Sequence, residues 1–155
     1  MKKLEVRLVQ LEPARIAAAH GFGESPEEIA WEKLLTWARA NGQFDEPYLP
    51  RFFGFNNPGP SAASAEYGYE QWMTVGPEVQ AGSDGVEIKE MPGGLFAVAR
   101  FKGLDAIGRM WQELLAWVEK SGHEVGDAQC LEELLSAPGL PMTEYVFDLY
   151  LPLQA

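Results

Sequence analysis

Hydrophobic and polar residues alternate with two different periods along this chain, and each period recurs in both halves of the sequence. Residues 4–10 and 86–90 alternate with a period of two, which predicts half-buried β-strands. A second apolar run follows each of them, at 16–19 and 95–99, either as a new strand or as a continuation of the first past a bulge. Each half is therefore predicted to begin with strand structure.

An amphipathic helix is predicted next in each half. Ser25 suits the N-cap, Pro26 the first helical position and Glu28 a capping box. We expect the two helices to stop near Gly42 and Gly122. The apolar stripes recur every three or four residues, as one helical face requires. They consist of Trp31, Leu34, Leu35 and Ala38 in the first half and Ile107, Trp111, Leu114, Leu115 and Val118 in the second.

Two further strands are predicted after each helix. They lie at residues 51–56 and 67–75 in the first half and at 129–135 and 145–153 in the second. Pro152 in the last run suits the edge or the end of a strand. The sequence thus predicts an α+β fold with duplicated strand–helix–strand–strand halves, an antiparallel sheet and two long helices.

An internal repeat underlies this prediction. Residues 6–42 align without a gap on residues 86–122, a shift of 80 positions, and both copies contain the pattern W-x-x-L-L-x-W. Two similar but unrelated helices would explain the Trp pairs, but they would not explain the matching strand and glycine positions. We expect halves 1–79 and 80–155 to be related by pseudo-twofold symmetry and to pack as a single domain over 1–155.

Composition narrows the classes of partner. The 155 residues carry a formal net charge of −11, and the twelve Lys and Arg residues are scattered, so nucleic acid is not expected as a direct partner. No apolar run approaches the roughly 20 residues that a membrane helix needs. The N-terminus does not resemble a signal peptide, and a single cysteine gives no internal disulfide. We therefore expect a cytoplasmic protein without membrane association.

Common cofactor and metal motifs are missing from the sequence. It contains no glycine-rich phosphate loop, no dinucleotide fingerprint and no His/Cys cluster with metal-ligand spacing. Cys130 lies in an apolar strand without a nearby His, where a small buried hydrophobe is more typical than a nucleophile. We expect neither a cofactor nor a metal ion.

Two acids among apolar strand residues are the candidate binding groups. Alternation places Asp148 and Tyr150 on one face of the last strand, and Glu70 and Trp72 on one face of the equivalent strand in the first half. A carboxylate beside aromatic rings suits an organic cation, because the rings offer flat apolar area and a negative face. The alternative is that these acids face water, as in any half-exposed strand.

The four helical Trp residues allow two interpretations. Trp31 and Trp111 lie at the centre of the predicted stripes, which indicates core positions. Trp37 and Trp117 lie at the flank, either in the core or along a groove near the pseudo-twofold axis. We include Trp37 and Trp117 among the candidate ligand contacts.

Four stretches then occur in an order that is typical of one family: FFGFNNP at 52–58, YGYEQWMTV at 67–75, GLFAVA at 94–99 and DLYLPL at 148–153. Together with the duplication, they resemble the gyrase-inhibitor-like (GyrI-like) small-molecule-binding domain. That domain is also the effector-binding part of AraC-type and MerR-type multidrug-responsive transcription regulators. The resemblance covers essentially the whole chain.

The resemblance implies a hydrophobic pocket between two symmetry-related halves, with an acid in the strand before last. An aromatic-Glu-x-Tyr pattern is usual there, and Glu132 matches its acid. The sequence departs from the pattern at Leu131 and Leu134, which stand where aromatics are usual. The rings would instead come from residues elsewhere in the sequence, namely Phe53, Trp72 and Tyr150.

The resemblance also implies three alternative functions. The first is a stand-alone binder of hydrophobic, in some cases cationic, small molecules, because no helix-turn-helix is recognised. The second is a hydrolase of reactive cyclopropane-bearing or other xenobiotic compounds, with Glu132 assisting attack by water and Tyr150 as a donor. The third is a protein-interaction module, such as a gyrase modulator, with a protein partner. Leu134 in place of the usual Tyr favours binding over hydrolysis.

Overall fold

The computed structural model describes residues 4–43, 50–57, 59, 64–79, 82–83, 85–135 and 144–154. Its helices are α1 (Pro26–Ala40) and α2 (Ile107–Ser121), the latter preceded by a 3-10 turn at Leu104–Ala106. Its strands are β1 (Val6–Leu11), β2 (Ala14–Gly23), β3 (Phe52–Asn56), β4 (Tyr67–Thr74), β5 (Val86–Met91), β6 (Gly94–Lys102), β7 (Leu131–Leu134) and β8 (Val146–Pro152). No helix among the described residues is long and apolar enough to span a membrane.

The chain divides into two compact units. Unit 1 combines Met1–Pro13 with Pro92–Ala155, and unit 2 is the continuous segment Ala14–Met91. Among its described residues, each unit contains one α-helix and four strands. The α+β fold class expected from the sequence is therefore confirmed.

Both units contain an antiparallel sheet with the same pattern of neighbours. In unit 2 the strand order is β3-β4-β2-β5. In unit 1 the order is β7-β8-β6-β1. The sheet of each unit therefore consists of the two strands after its helix, the strand before its helix and one strand from the other half of the sequence.

The first strand of each half pairs within the sheet of the other half. Val6 of β1 lies opposite Ala99 of β6, and Val86 of β5 lies opposite Ala19 of β2. The registers are equivalent under the 80-residue shift.

The sequence left open whether the second apolar run continues the first strand. The two runs are separate strands, because the chain breaks at Pro13 and pairs with different neighbours on either side. The units thus differ from halves 1–79 and 80–155.

The core of unit 2 lies between α1 and one face of its sheet. Leu34, Trp37 and Ala38 of the helix pack against Ala17 and Met73 of the strands. The sequence placed Trp31 at the centre of this stripe and Trp37 at its flank, but Trp37 is buried and Trp31 is only partly buried. The buried stripe runs through positions i, i+3 and i+4 from Leu34, which brings Trp37 onto its axis.

The core of unit 1 has the same construction. Leu114 and Val118 of α2 pack against Ala97 and Leu149, and Met110 completes the helical stripe. Leu115, which was predicted to belong to this stripe, is 40% exposed. Trp111 and Trp117 are partly buried against the same core.

The helix ends follow the sequence signals with one exception. Pro26 occupies the start of α1, and Gly122 ends α2 in the left-handed conformation, with φ of 87°. That φ is a conformation that glycine adopts without the steric cost a Cβ would bring. The expected capping box is not formed, because Ser25 makes no side-chain cap hydrogen bond.

Candidate functional site

The candidate residues of the last strand lie on the face of the unit 1 sheet that its helix does not cover. Phe147 and Leu149 belong to the core beneath α2, so the alternate residues Asp148 and Tyr150 of β8 lie on the opposite face. The register adds neighbours from the adjacent strands. We call this surface the helix-free face of unit 1; its members are Arg7, Phe96, Val98, Arg100, Leu131, Glu133, Asp148 and Tyr150.

Four charged side chains cross this face from strand to strand. Arg7 lies on β1, Arg100 on β6, Asp148 on β8 and Glu133 on β7, with Arg100 and Glu133 directly opposite Asp148 on either side. Positive charges occupy one side of the row and negative charges the other. The four formal charges sum to zero.

Asp148 is buried and accepts hydrogen bonds from both arginines. Arg7 donates from Nη2 at 2.8 Å, and Arg100 donates from Nε at 3.0 Å and from Nη2 at 3.2 Å. Burial alone would raise the pKa of Asp148. The hydrogen bonds from Arg100 and Arg7 lower it by a larger amount, so the net pKa lies below its ordinary value. Asp148 is therefore an ionised carboxylate that already has its counter-charges.

Glu133 is the second buried carboxylate of this face. Its Oε1 accepts a hydrogen bond from the hydroxyl group of Tyr150 at 2.7 Å. Tyr150 in turn contacts Phe96 edge to face, with ring centroids 5.7 Å apart. Leu131, the cross-strand neighbour of Tyr150, is also buried. A carboxylate, a phenol and a second ring thus lie together on one surface.

Glu132, the acid that the resemblance selected, lies on the other face of β7. It is opposite Leu149 in the register, on the side that packs beneath α2, and it is only half-buried. We expected Glu132 to be shielded beside aromatic carbons. The structure buries Glu133 instead, because strand alternation places Glu133, and not Glu132, on the side of Asp148 and Tyr150.

Glu70 is the buried carboxylate of unit 2. It accepts hydrogen bonds from Nζ of Lys89 at 2.5 Å, from Nε1 of Trp72 at 2.8 Å and from Nδ2 of Asn57 at 3.1 Å. Burial alone would raise the pKa of Glu70. The partners that donate these three hydrogen bonds together lower it by a larger amount, so the net pKa is below its ordinary value. The sequence prediction that Glu70 lies beside an aromatic residue agrees with this geometry, and Lys89 supplies the charge partner.

The aromatic candidates of unit 2 form a packed group around Glu70. Trp72 contacts Phe55 edge to face at 5.0 Å, and the ammonium group of Lys89 lies 5.3 Å from the Trp72 ring centroid. Phe53 is opposite Trp72 in the register and fully buried, and the guanidinium group of Arg51 lies 5.0 Å from its ring. Cations of the protein itself therefore already contact both candidate rings.

The two flanking Trp candidates belong to the helix-packed side of their units. Trp37 is part of the unit 2 core, and Trp117 packs against the unit 1 core. A shallow depression of about 410 Å³ runs along the outer flank of α1, but only the edge of Trp37 reaches it, because that residue is 3% exposed. Neither Trp lies on the face that carries Glu133 or Glu70.

A small pocket opens on the helix-free face of unit 1. Its volume is about 230 Å³, and it is lined by Glu5, Arg7 and Arg100. Among the described residues, no group of three His, Cys, Asp or Glu side chains is placed to hold a metal ion. Burial raises the pKa of the Cys130 thiol, which disfavours the thiolate that nucleophilic attack requires.

Sequence analysis did not identify the cations or the buried acid of β7, Glu133. Arg7, Lys89 and Arg100 reach their carboxylates from neighbouring strands, so the pairing depends on the sheet order, which local alternation does not reveal. The sequence does show that Glu133 and Leu131 are two residues apart in the strand, so their side chains lie on the same face. Only the pairing of Glu133 with Asp148 shows that this face is the one opposite α2.

Solved structures with the same fold come from proteins of different kinds. A hydrolase from Listeria innocua matches with a TM-score of 0.73 at 12% identity, covering 97% of this chain and 92% of that chain. The C-terminal domain of EcmrR matches with a TM-score of 0.71 at 13% identity, covering 97% and 98%. SAV2435 bound to tetraphenylphosphonium matches with a TM-score of 0.57 at 14% identity, covering 97% and 94%. At these identities the similarity shows a shared fold.

Sequence comparison gives a narrower result. Residues 4–154 match the family model described as the GyrI-like small molecule binding domain. No curated protein matches the chain in sequence. The family match covers nearly the whole chain and both of its compact units.

Proposed function

Since this chain belongs to the family of GyrI-like small molecule binding domains, we propose that it binds a hydrophobic small molecule on the helix-free face of unit 1. Where the ligand is a cation, Glu133 supplies the counter-charge. The rings of Tyr150 and Phe96 supply flat apolar contact. The observation that carries this proposal is that the buried carboxylate of Glu133 accepts a hydrogen bond from the phenol of Tyr150, which belongs to an aromatic group.

The contact with an aromatic ring favours Glu133 as the counter-charge of a cationic ligand. Its carboxylate accepts a hydrogen bond from the hydroxyl group of Tyr150. A cation above that ring therefore gains both the carboxylate and the negative face of the ring.

A ligand-bound structure with this fold supports the charge of the proposed ligand. SAV2435 binds tetraphenylphosphonium, a cation whose charge is enclosed by four phenyl rings. Such a molecule gains most from rings and from a desolvated carboxylate, which are the groups assembled around Tyr150. We therefore take tetraphenylphosphonium as the probe.

Two adjacent glutamates provide a matched experiment. Binding of tetraphenylphosphonium would be measured by isothermal titration calorimetry for the wild type, Glu133→Gln and Glu132→Gln, with uncharged triphenylphosphine oxide as the comparison ligand. We expect Glu133→Gln to weaken cation binding about tenfold, or about 1.4 kcal/mol, and to change binding of the neutral ligand little. Glu132→Gln should match the wild type. If Glu132→Gln alone weakens binding, the acid selected by the resemblance is the right one and our assignment is wrong.

Hydrolysis is a second candidate, and the contact between Tyr150 and Glu133 favours it. In this alternative Glu133 removes a proton from water as the water oxygen bonds to a cyclopropane carbon, and the strained carbon–carbon bond breaks. Tyr150 donates a proton to the carbon or conjugated oxygen that receives the electron pair. The similar fold of a Listeria innocua hydrolase makes this chemistry worth testing.

Turnover separates the two candidates. The protein would be incubated with an electrophilic cyclopropane compound, and ring opening would be followed by chromatography. Product in excess of the protein concentration that disappears in Glu133→Gln would establish hydrolysis. Stoichiometric binding without product would leave the binding function.

Other expectations from the sequence stay predictions. These are a cytoplasmic location, a protein partner such as gyrase, and binding of several unrelated drugs in the manner of multidrug regulators. The last can be tested by the same calorimetry with a panel of cationic dyes of different shape.

A further inference from the structure

Two arginine side chains share one buried carboxylate on the helix-free face of unit 1. Arg7 and Arg100 are 51% and 57% exposed, whereas the side chain of Asp148 is 4% exposed. A ligand that approaches this surface meets guanidinium N–H groups before it meets the carboxylate. The exposed part of the row therefore offers donors, although buried acceptors lie beneath it.

Asp148 uses only part of the donor capacity of the two arginines. A guanidinium group has five N–H donors and no acceptor. Arg100 directs Nε and Nη2 to Asp148, and Arg7 directs only Nη2. Within the part of the chain that the structure describes, neither arginine has a further hydrogen-bond acceptor. The remaining N–H groups are available to water or to a ligand.

Unit 2 shows how much positive charge a buried carboxylate at this position requires. Glu70 is the equivalent of Asp148 in the repeat, and Lys89 is its one ion-pair partner among the described residues. Neutral donors from Trp72 and Asn57 complete its hydrogen bonds, and its pKa still lies below the ordinary value. Glu70 thus has one cationic partner among the described residues, whereas Asp148 has two, Arg100 and Arg7.

The pocket beside these arginines has the size of a small functional group with a ring. Its volume of about 230 Å³ lies below the roughly 300–1,000 Å³ of sites that enclose drug-sized molecules. Arg7 and Arg100 contribute two of its described lining residues, and Glu5 contributes the third. The lining thus presents two guanidinium groups and one exposed carboxylate.

We propose that Arg7 and Arg100 bind the oxyanion of a small molecule, a carboxylate or a phosphate monoester, in this pocket. Planar guanidinium groups match the geometry of both oxyanions and form charge-assisted hydrogen bonds with them. The carboxylate of Glu5 opposes a second negative charge, so the site favours the carboxylate. This inference rests on the proposed function and extends it, because it adds an anionic group to the ligand of the same face.

Benzoate, phenyl phosphate and benzamide provide the test. Benzamide keeps the ring and the shape of benzoate but has no charge. Binding would be followed by NMR titration, with the arginine Nε–H resonances as the site-specific signal. We expect benzoate to bind at least about tenfold more tightly than benzamide, to bind more tightly than phenyl phosphate, and to shift the Arg7 and Arg100 resonances. Equal binding of benzoate and benzamide would contradict the oxyanion site, and tighter binding of phenyl phosphate would contradict its preference for a carboxylate.

Substitution of Arg7 is the sharpest variant, because Arg100 still pairs with Asp148 and the fold keeps its buried ion pair. Arg7→Gln should weaken benzoate binding about tenfold, and Arg7→Lys should restore part of it. Arg109→Gln, on the surface of α2, is the control and should bind as the wild type does. Glu5→Gln should strengthen benzoate binding. Unchanged affinity in Arg7→Gln, with an unfolding midpoint like that of the wild type, overturns the inference.

The cationic probe distinguishes failure of this inference from failure of the proposed function. Arg7→Gln removes a positive charge, so it should leave binding of tetraphenylphosphonium unchanged or strengthen it. If benzoate does not bind while Glu133-dependent binding of tetraphenylphosphonium is observed, the arginine site is wrong and the proposed function stands. If benzoate binds at the arginines and the cation does not bind, the anion site stands and the cation site is wrong.

Discussion

The hydroxyl group of Tyr150 donates a hydrogen bond to Oε1 of Glu133, although the two residues are not opposite each other in the sheet. Tyr150 faces Leu131, and Glu133 faces Asp148, so the hydrogen bond runs along the diagonal of the cross-strand pair. Diagonal neighbours on one face lie within reach of a long aromatic side chain. The bond fixes the position of a buried carboxylate from one side, and its loss has a measurable cost.

Tyr150→Phe should destabilise the protein by about 1–3 kcal/mol, because Glu133 loses a donor within a buried environment. Urea unfolding gives the free energy of unfolding for the comparison. Tyr145→Phe is the matched control, since Tyr145 is only half-buried, contacts the ring of Phe147 and makes no hydroxyl hydrogen bond to another described residue. Equal costs for the two variants would mean that the hydrogen bond to Glu133 contributes nothing.

Asp148 should make the fold sensitive to acid. Its pKa is below the ordinary value of 3.8, so its ionisation stabilises the folded state above that value, and this contribution is lost as the pH falls through the folded-state pKa. Asp148→Asn should therefore flatten the decline in the free energy of unfolding below pH 3.8, while it lowers stability at pH 7. Glu119→Gln, an exposed acid of α2, should keep the steep decline of the wild type. A decline as steep in Asp148→Asn would show that other acids control it.

Substitution of Lys89 alone should lower the free energy of unfolding more than substitution of both Lys89 and Glu70. Lys89→Met leaves Glu70 buried without its charge partner and should destabilise the fold by about 1–3 kcal/mol. Adding Glu70→Gln should recover part of that loss, because an uncharged amide needs no counter-charge. A double-mutant cycle from urea unfolding measures the coupling. Strictly additive costs would contradict the ion pair described for unit 2.

Leu34 and Leu114, the equivalent leucines of the repeat, should contribute similar amounts to the free energy of unfolding. Leu34 and Leu114 are both fully buried beneath the helices of their units. Leu34→Ala and Leu114→Ala should each lower the free energy of unfolding by about 2–5 kcal/mol. Leu115→Ala is the control, and at 40% exposure it should cost much less. A cost for Leu115→Ala that matches Leu114→Ala would contradict the described helix orientation.

Periodicity predicted the elements well, because each depends on short-range features. Alternation located the strands, and the ends of the helices followed Pro26, Gly42 and Gly122. Within the helices the stripe was predicted less accurately, because Trp31 and Trp37 are each three residues from Leu34. Only the position of the sheet under α1 decides which of them is buried.

The site was less accessible to prediction because it depends on pairing between strands. Motif resemblance selected Glu132 over its neighbour, and one residue along a strand is the difference between its two faces. The candidates Glu70 and Asp148 were placed beside Trp72 and Tyr150 as expected, but their cationic partners come from β5, β1 and β6. The prediction that halves 1–79 and 80–155 are related by pseudo-twofold symmetry stays a prediction.

The pairing of β1 with β6 sets an order of events during protein synthesis. Val6–Leu11 is made before unit 2, but its partner Gly94–Lys102 is made more than 80 residues later. Unit 2 is continuous over Ala14–Met91, so all of its strands are present before that partner exists. Because compact units generally form during synthesis once their segments are complete, we expect unit 2 to assemble first on the nascent chain. The strand β1 is then made before unit 2 and paired after it, and a chain arrested at Met91 would carry β1 without its partner β6.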